Sequence, residues 1–461
     1  MKVLSLFDGM ACGMLAFMEA GIKVDRYVAY EIDKYAVQTS SHNFPMIEHR
    51  GDVFEADFTE FRGFDFLIGG SPCTHWSIAR LGDRETKASG VGWELFCQYV
   101  RALQEAKPKY FIYENNKSMH DNIRAAITEA FGFEPICINS ALVSAQNRQR
   151  LYWVGTRNPD GTYSKVTVDQ PEDMGILLVD VLETGVPINT TVDGYKARTL
   201  MAGYYKYGTA TLITNPGFTG GTTAVAEPVR ACESETVLKS IPDIVSKYGY
   251  LPEMFNAYNR SEITDKAPTL STGSMVTSSC AINRFEPVSP IPIHTTAVAE
   301  LVPFVEGKLA DAVAKIGYIP KMWNPYNNTE ITDKAPTQTA QCASQTKSST
   351  VMIVTPLAVA IEWDENGKPT KAISVADGKT HPVYEVKDGQ ITIKSKQYPI
   401  KLADGFYIIR KLTVSECKRL QTVPGWYKFP VSDSQAYKML GNGWTVDVIA
   451  HLINATQNYI N

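Results

Sequence analysis

Phe64-Asp65-Phe66-Leu67-Ile68-Gly69-Gly70-Ser71-Pro72-Cys73-Thr74-His75-Trp76-Ser77-Ile78-Ala79-Arg80 is the stretch on which the fold turns. Its apolar start has the length and composition of a buried parallel strand. Gly69-Gly70 ends that strand. Ser71-Pro72 stiffens the turn, because proline fixes its own φ and pushes the preceding residue towards an extended form. Cys73 is then displayed on a rigid turn at the carboxyl end of a strand, where ligands sit in open α/β sheets. A cysteine held there is a candidate nucleophile; the alternative is a buried structural cysteine, since free Cys is among the most buried residue types.

Working outward, Val3–Phe7 reads as a first buried strand, followed by the turn Asp8-Gly9-Met10-Ala11-Cys12-Gly13 and an apolar helix over 14–20 closed by Gly21. Strand, glycine turn and helix open a nucleotide-type α/β domain, without the GxGxxG spacing of a dinucleotide site. The next strand, Tyr27–Tyr30, ends in Glu31, placed to bind ribose hydroxyls. Asp33 is positioned to cap a helix over 34–40. Gly51-Asp52-Val53 marks the tip of a third strand, and Asp52 there is either an acceptor for an adenine amino group or a plain turn residue.

After Cys73, residues 80–92 are polar, with three glycines, Lys87 and Ser89, and read as a mobile loop. A helix over 93–106 carries Leu95, Phe96, Tyr99, Val100 and Leu103 on one face and stops before Pro108. Tyr110–Tyr113 is another buried strand, ending in Glu114-Asn115-Asn116. One right-handed helical crossover separates the strands bearing Cys73 and Glu114, so the two strands run parallel and both residues face one pocket. Burial would tune such a carboxyl group for general acid work. Gln146-Asn147-Arg148-Gln149-Arg150 precedes the strand Leu151–Val154; alternation puts Gln146, Arg148 and Arg150 on one side, where two guanidiniums suit phosphate or carboxylate partners.

The 461 residues allow two or three domains, and the charged fraction of 20% is ordinary for a soluble protein. A net charge of −4 is unsuited to coating nucleic acid through bulk charge, though a local basic cleft remains compatible with it. The longest apolar candidate, Val351 to Trp363, is too short to span a membrane and is interrupted by Pro356. The chain opens on a strand with no signal peptide. Eight cysteines without a CxxC pair suggest neither a metal site nor a disulfide framework, which fits a reducing, cytoplasmic setting.

The middle of the chain repeats. Residues 247–270 and 315–338 agree at 16 of 24 positions. Thr-Thr-Ala-Val-Ala-Glu occurs at 222–227 and again at 295–300, and Lys196-Ala197-Arg198-Thr199-Leu200 resembles a further, divergent start of the same unit. Residues 360–402 carry β-hairpin turn signals at Asn366-Gly367, Asp377-Gly378 and Asp388-Gly389. Thr413-Val414-Ser415-Glu416 is a capping box opening a helix to Leu420; short helices over 434–440 and 446–453 flank Gly441-Asn442-Gly443-Trp444.

Together, Phe7-Asp8-Gly9 with Gly13, Glu31, Asp52, Ser71-Pro72-Cys73, Glu114-Asn115, the Gln146-x-Arg148-x-Arg150 run and Gly441–Trp444 resemble the S-adenosylmethionine-dependent DNA cytosine-5 methyltransferases. Residues 1–155 are most similar to the de novo branch; Asn116 departs from the valine usual after Glu-Asn. The resemblance implies an α/β, Rossmann-like methyltransferase domain with a mixed, mostly parallel sheet, split between 1–160 and 405–461. It further implies a smaller, mainly β target-recognition region over 190–350, built from the repeats, and a β-hairpin connector over 355–404. The alternative for the repeats is a scaffold joining the two catalytic segments.

By the same resemblance Cys73 attacks C6 of a cytosine, Glu114 holds N3 and the 4-amino group, and Arg148 and Arg150 orient Glu114 and the ring. Ser71, Pro72, Asn115 and Gln146 line the base pocket. Phe7, Asp8, Gly9, Gly13, Glu31, Ile32, Asp52, Val53, Asn442, Gly443 and Trp444 hold S-adenosylmethionine. The implied partner is double-stranded DNA with a flipped-out base, in the manner of restriction-modification enzymes, with neither a metal nor a membrane. Tyr258, Asn259, Arg260, Tyr326, Asn327 and Asn328 are candidates for reading base edges or phosphates. The same chemistry on tRNA, or a catalytically inactive DNA-binding relative, are the alternatives.

Overall fold

The computed structural model describes residues 1–72, 75–76, 84–183, 185–188, 190, 195–206, 212, 223–232, 247, 254–256, 261–262, 281–282, 285–287, 323–324, 329–330, 358–374 and 376–457. Cys73 and the six candidate base-reading residues of the repeats lie outside the described residues.

Strands β1 (Lys2–Leu6), β2 (Arg26–Tyr30), β3 (Glu48–His49), β4 (Phe66–Gly69), β5 (Tyr110–Asn116), β6 (Ile136–Asn139), β7 (Gln149–Arg157) and β8 (Tyr163–Lys165) form one sheet in the order β3-β2-β1-β4-β5-β7-β6, with β8 on β7. Pairings among β1 to β5 are parallel, and those of β7 with β5, β6 and β8 are antiparallel. The mixed, mostly parallel sheet expected from the sequence is therefore present. Alternation divides its side chains between two cores. Val3, Phe66, Ile68 and Ile112 face one, and Leu4, Leu67, Phe111 and Tyr113 the other.

Helices α1 (Cys12–Glu19), α2 (Lys34–Asn43), α3 (Val91–Ala106) and α4 (Asp121–Phe131) are set by local signals. Asp33 caps α2 by accepting from the Tyr35 N–H. α3 buries Phe96, Tyr99, Ala102, Leu103 and Ala106 and ends in a left-handed Lys107 before Pro108. Strand order reverses at β1, whose neighbours β2 and β4 follow opposite windings, so the crevice at the carboxyl ends of β1, β2 and β4 is the switch point where ligands bind in such sheets.

A second sheet collects β9 (Val186–Ile188) and β10 (Ala224–Cys232) with later strands. In the repeats, β11 (Met254–Asn256) pairs antiparallel with β12 (Ser261–Glu262) and with β13 (Ala281–Ile282), and β14 (Phe285–Pro287) pairs with β10. The second copy contributes β15 (Trp323–Asn324) against β16 (Thr329–Glu330). The registers Phe255↔Glu262 and Trp323↔Glu330 join equivalent positions of the two copies, so the duplication read from sequence is also a duplication of backbone pairing. β17 (Ala358–Trp363), β18 (Pro369–Ile373), β19 (Thr380–Lys387), β20 (Gln390–Ile393), β21 (Lys396–Pro399) and β22 (Gly405–Lys411) complete the nine-stranded sheet, with β10 paired to β9, β14, β17 and β22. The hairpins of 360–402 thus share a sheet with β10 and β22.

At the centre of that sheet Arg410 is wholly buried between Glu227 on β10 and Glu416, the second at 2.8 Å. Glu416 also completes the capping box with Thr413 that opens α5 (Val414–Leu420). The chain then returns to the first sheet through α6 (Asp433–Asn442) and α7 (Val446–Gln457), the latter packing on α1. Tyr427 Oη donates to Met10 O at 2.6 Å, Asn43 Nδ2 to Lys428 O at 2.8 Å, and Lys438 Nζ pairs with Asp33 at 2.7 Å. Among the described residues no helix is long and apolar enough to cross a membrane.

Candidate active site

The loop after β1 is bent by left-handed residues at Phe7, Gly9 and Ala11, with φ of 57°, 61° and 61°. Two of these are not glycine, and such conformations cost L-residues about 1–2 kcal/mol each. Strain of this kind is retained at ligand clamps. Composition does not signal it, and the sequence reading missed it. Gly13 instead packs closely: a Cβ there would lie 2.3 Å from Ile68 Cδ1 and 2.7 Å from Tyr27 Oη, so those side-chain ends would have to shift.

Glu31, at the end of β2, ties this loop to its own. One oxygen accepts from Gly9 N at 2.8 Å, the other from Ile32 N at 2.8 Å and Asp33 N at 2.7 Å. Asp8 is buried; its Oδ1 accepts from Ser5 Oγ and Tyr27 Oη, both at 2.6 Å, while its Oδ2 has no hydrogen-bond partner. Burial pushes the Asp8 carboxyl up to about 6, against the pull of those two hydroxyls. Asp52 caps the turn Val53–Glu55, accepting from Phe54 N at 3.0 Å. Val53 is buried, whereas Ile32 and Phe54 are 75% and 50% exposed, leaving apolar surface beside the two carboxylates.

Ser71 is buried, with Oγ 2.7 Å from Tyr113 Oη, and its carbonyl accepts from Asn115 Nδ2 at 3.1 Å. These bonds fasten the turn that leads into Cys73 to β5. Pro72 is exposed. Gly70 lies against Glu114: a Cβ would stand 2.7 Å from its carbonyl oxygen and 3.0 Å from Oε2.

Glu114 is held by two donors. Arg150 Nε lies 3.0 Å from Oε1, and Trp444 Nε1 donates to Oε2 at 2.9 Å. Both ion-pair partners are largely buried, which strengthens the pair relative to a surface one. Arg150 is therefore beside Glu114, as the sequence reading expected. Trp444, expected at the cofactor, reaches the Glu114 carboxylate.

Two residues hold partners that the sequence reading did not name. Arg148 donates to the carbonyls of Leu200 at 3.0 Å, Gly441 at 3.1 Å and Gly443 at 2.9 Å, so these bonds join three separate segments. Gln146 is fully buried, donating to Leu420 O at 3.1 Å and accepting from Leu200 N at 2.7 Å, rather than lining an open base pocket. Side-chain alternation along the chain before β7 gives the side but not the partners, which come from segments far away in sequence. Gly443 ends α6, close to Cys12, and Asn442 is exposed in its last turn.

The loop expected to be mobile is partly tied down. Trp76 is fully buried and donates to Glu85 Oε2 at 2.9 Å; Arg84 donates to Trp76 O at 3.1 Å and to Ser118 O. Cys12 is no rival nucleophile, because burial pushes its thiol up to about 12. Among the described residues no cluster of His, Cys, Asp and Glu could hold a metal ion.

A family model described as C-5 cytosine-specific DNA methylase matches residues 1–198 and 308–458. An orphan methyltransferase of Bacillus phage SPR is 36% identical over 171 residues, covering 34% of this chain and 38% of the phage protein. A type II methyltransferase of Lactococcus lactis subsp. cremoris is 31% identical over 218 residues, covering 43% and 54%. A type II methyltransferase of Neisseria lactamica is 29% identical over 258 residues, covering 47% and 80%. The chain thus spans about a third to a half of the length of the phage and Lactococcus relatives.

Proposed function

Because the chain belongs to the C-5 cytosine-specific DNA methylase family, we propose that it transfers a methyl group from S-adenosylmethionine to C5 of a flipped-out cytosine in double-stranded DNA. The observation that carries this reading is Glu114, fixed by Arg150 and Trp444 at the end of β5 beside the Ser71-Pro72 turn that leads into Cys73.

An aromatic ring carbon is a poor electrophile, so it needs a strong soft nucleophile together with polarisation of the opposite ring edge. Glu114 engages N3 and the 4-amino group of the base, and Arg150 keeps the carboxylate aimed. The Cys73 thiolate then adds to C6, which turns C5 into a carbon nucleophile. After methylation, loss of the C5 proton expels the Cys73 sulfur and restores the ring. A stacked base cannot reach a strand-end crevice, so the cytosine must leave the helix.

The residues at the switch point fit S-adenosylmethionine: the strained loop Phe7–Ala11, the Glu31 turn and the Asp52 cap offer polar partners, and exposed Ile32 and Phe54 offer an apolar surface for a purine. When bound, this group supplies an electrophilic methyl on a sulfonium centre. Phe7, Asp8, Gly9, Gly13, Glu31, Ile32, Asp52, Val53, Asn442, Gly443 and Trp444 are the residues proposed to hold it. Residues 1–160 and 405–461 act as one catalytic unit, with 190–350 contributing target recognition. The reading makes the protein a cytoplasmic DNA-modification enzyme of the restriction-modification kind.

Nucleoside mass spectrometry of DNA from cells expressing the wild type or Cys73→Ser tests it. New 5-methylcytosine with the wild type alone is expected. Well-folded wild-type protein that leaves DNA unmodified while modifying RNA overturns the substrate, and no modification of either overturns the activity.

A further inference from the structure

The first sheet has a charged cleft at the end away from the crevice. It lies at the amino ends of the parallel β4 and β5 and the carboxyl end of the antiparallel β7. Its volume is about 360 Å3, and its lining includes Phe64, Asp65, Lys107, Lys109, Arg157 and Asn158. Five residue steps along β5 separate Lys109 from Glu114, about 17 Å at about 3.3 Å per residue. The cleft is therefore remote from the proposed chemistry.

Backbone bonds decide which charges meet there. Tyr110 N donates to Asp65 O and Arg157 N to Lys109 O, both at 2.8 Å. The second bond extends the β5–β7 ladder beyond the pair Tyr110↔Thr156, so Lys109 stands directly opposite Arg157. Like charges opposite each other destabilise a sheet. Lys107 closes α3 in a left-handed conformation, φ 51° and ψ 53°, where glycine is the usual residue. A cation at a helix C-terminus complements the helix dipole, which accounts for Lys107 by itself. It does not account for two further cations set against each other beside it. The carboxylate in the lining, Asp65, is engaged by Lys2 N at 2.7 Å. Among the described residues Lys107, Lys109 and Arg157 make no ion pair, on a chain whose net charge is −4.

We propose that this cleft is a binding site for an oligophosphate anion, a run of two or three linked phosphates, free or carried on a small molecule. The Arg157 guanidinium presents a planar fork that matches phosphate oxygens, and the two ammonium groups add point charges beside it. The volume lies within the roughly 300–1,000 Å3 of small-molecule sites and exceeds what a single phosphate fills. A bound anion offsets the repulsion between Lys109 and Arg157, so it stabilises the fold as it binds. The site goes beyond the methyl-transfer reading and does not depend on it.

The test is calorimetric titration of the full-length protein with inorganic tripolyphosphate at low salt, alongside thermal unfolding. The wild type should bind the anion and melt higher in its presence; no binding overturns the proposal. Lys109→Gln/Arg157→Gln should weaken binding roughly tenfold or more. Without ligand this variant should melt no lower than the wild type, because a repulsion has been removed. Lys394→Gln/Lys396→Gln, in the β20–β21 hairpin of the other sheet, should bind as the wild type does. Affinity unchanged in the first pair, or lost equally in the second, overturns the proposal. Lys109→Arg keeps the charge and should keep the affinity; a loss as large as in the glutamine pair assigns the effect to packing and overturns it. Citrate binding tighter than tripolyphosphate overturns the phosphate class. Methyl transfer enters none of these readouts, so failure here is distinguishable from failure of the enzymatic reading.

Discussion

The indole N–H of Trp444 donates to Glu114 Oε2 at 2.9 Å, across 330 residues of sequence. The segment after α6 therefore supplies one of the two donors that hold the carboxylate of β5, and Arg150 supplies the other. The crevice is assembled from both ends of the fold, and its geometry depends on both.

Trp444→Phe keeps the ring and removes the donor. A hydrogen bond to a charged group contributes about 1.5–3 kcal/mol. Turnover should fall roughly 10- to 100-fold, with the melting temperature lowered by a few degrees. Steady-state methyl incorporation alongside thermal unfolding checks this, and turnover within a factor of two would refute it.

Gly70→Ala places a methyl group 2.7 Å from the Glu114 carbonyl. A main-chain atom cannot rotate away, so β5 must shift and take its carboxylate with it. Overpacking of this kind costs about 1–3 kcal/mol. Activity should fall by more than that loss of stability accounts for, as measured by assays well below the melting temperature.

Arg148→Met and Arg150→Met should separate stability from catalysis. Arg148 is buried and donates to the carbonyls of Leu200, Gly441 and Gly443, of which Gly443 keeps a second donor in Gln421 Nε2 at 3.4 Å, so urea unfolding should show a loss of about 3 kcal/mol. Arg150→Met should cost less stability and more turnover, because its partner is Glu114. The reverse ordering would overturn both assignments.

Asp8 gives a pH signature. Its folded carboxyl is pushed up to about 6 from 3.8, so between those values the folded state binds more protons than the unfolded one. Stability should therefore decline as pH rises from about 4 to about 6, and stay lower above that. Asp8→Asn should flatten this slope in melting temperature measured across pH 4 to 8. An unchanged slope would assign the effect to another group.

The parts of the fold that are continuous in sequence were legible. β1, β4 and β5 announce themselves as short apolar runs, and Asp33 and Thr413 as caps, because each signal acts within a few residues. The pairing of Glu114 with Arg150 was expected from the family resemblance alone, because no local signal tells that β5 and β7 are neighbours. The carbonyl partners of Arg148 and Gln146 were not legible, since they come from Leu200, Leu420 and Gly441–Gly443. The three glycines of 80–92 suggested mobility, but Glu85 binds the buried Trp76 and the start of α3, a tertiary effect that composition does not carry.

The contact between Met10 and Tyr427 also sets a timetable for synthesis. A ribosome adding about 5–20 residues per second needs on the order of 20–80 s to travel from one to the other. Throughout that interval the buried side of α1, with Leu15 and Phe17, has no α7 to cover it. The nascent chain thus presents a sticky half-finished sheet for most of its time on the ribosome. Folding yield in a cell should respond to translation speed and chaperone supply more than the stability of the finished protein would indicate.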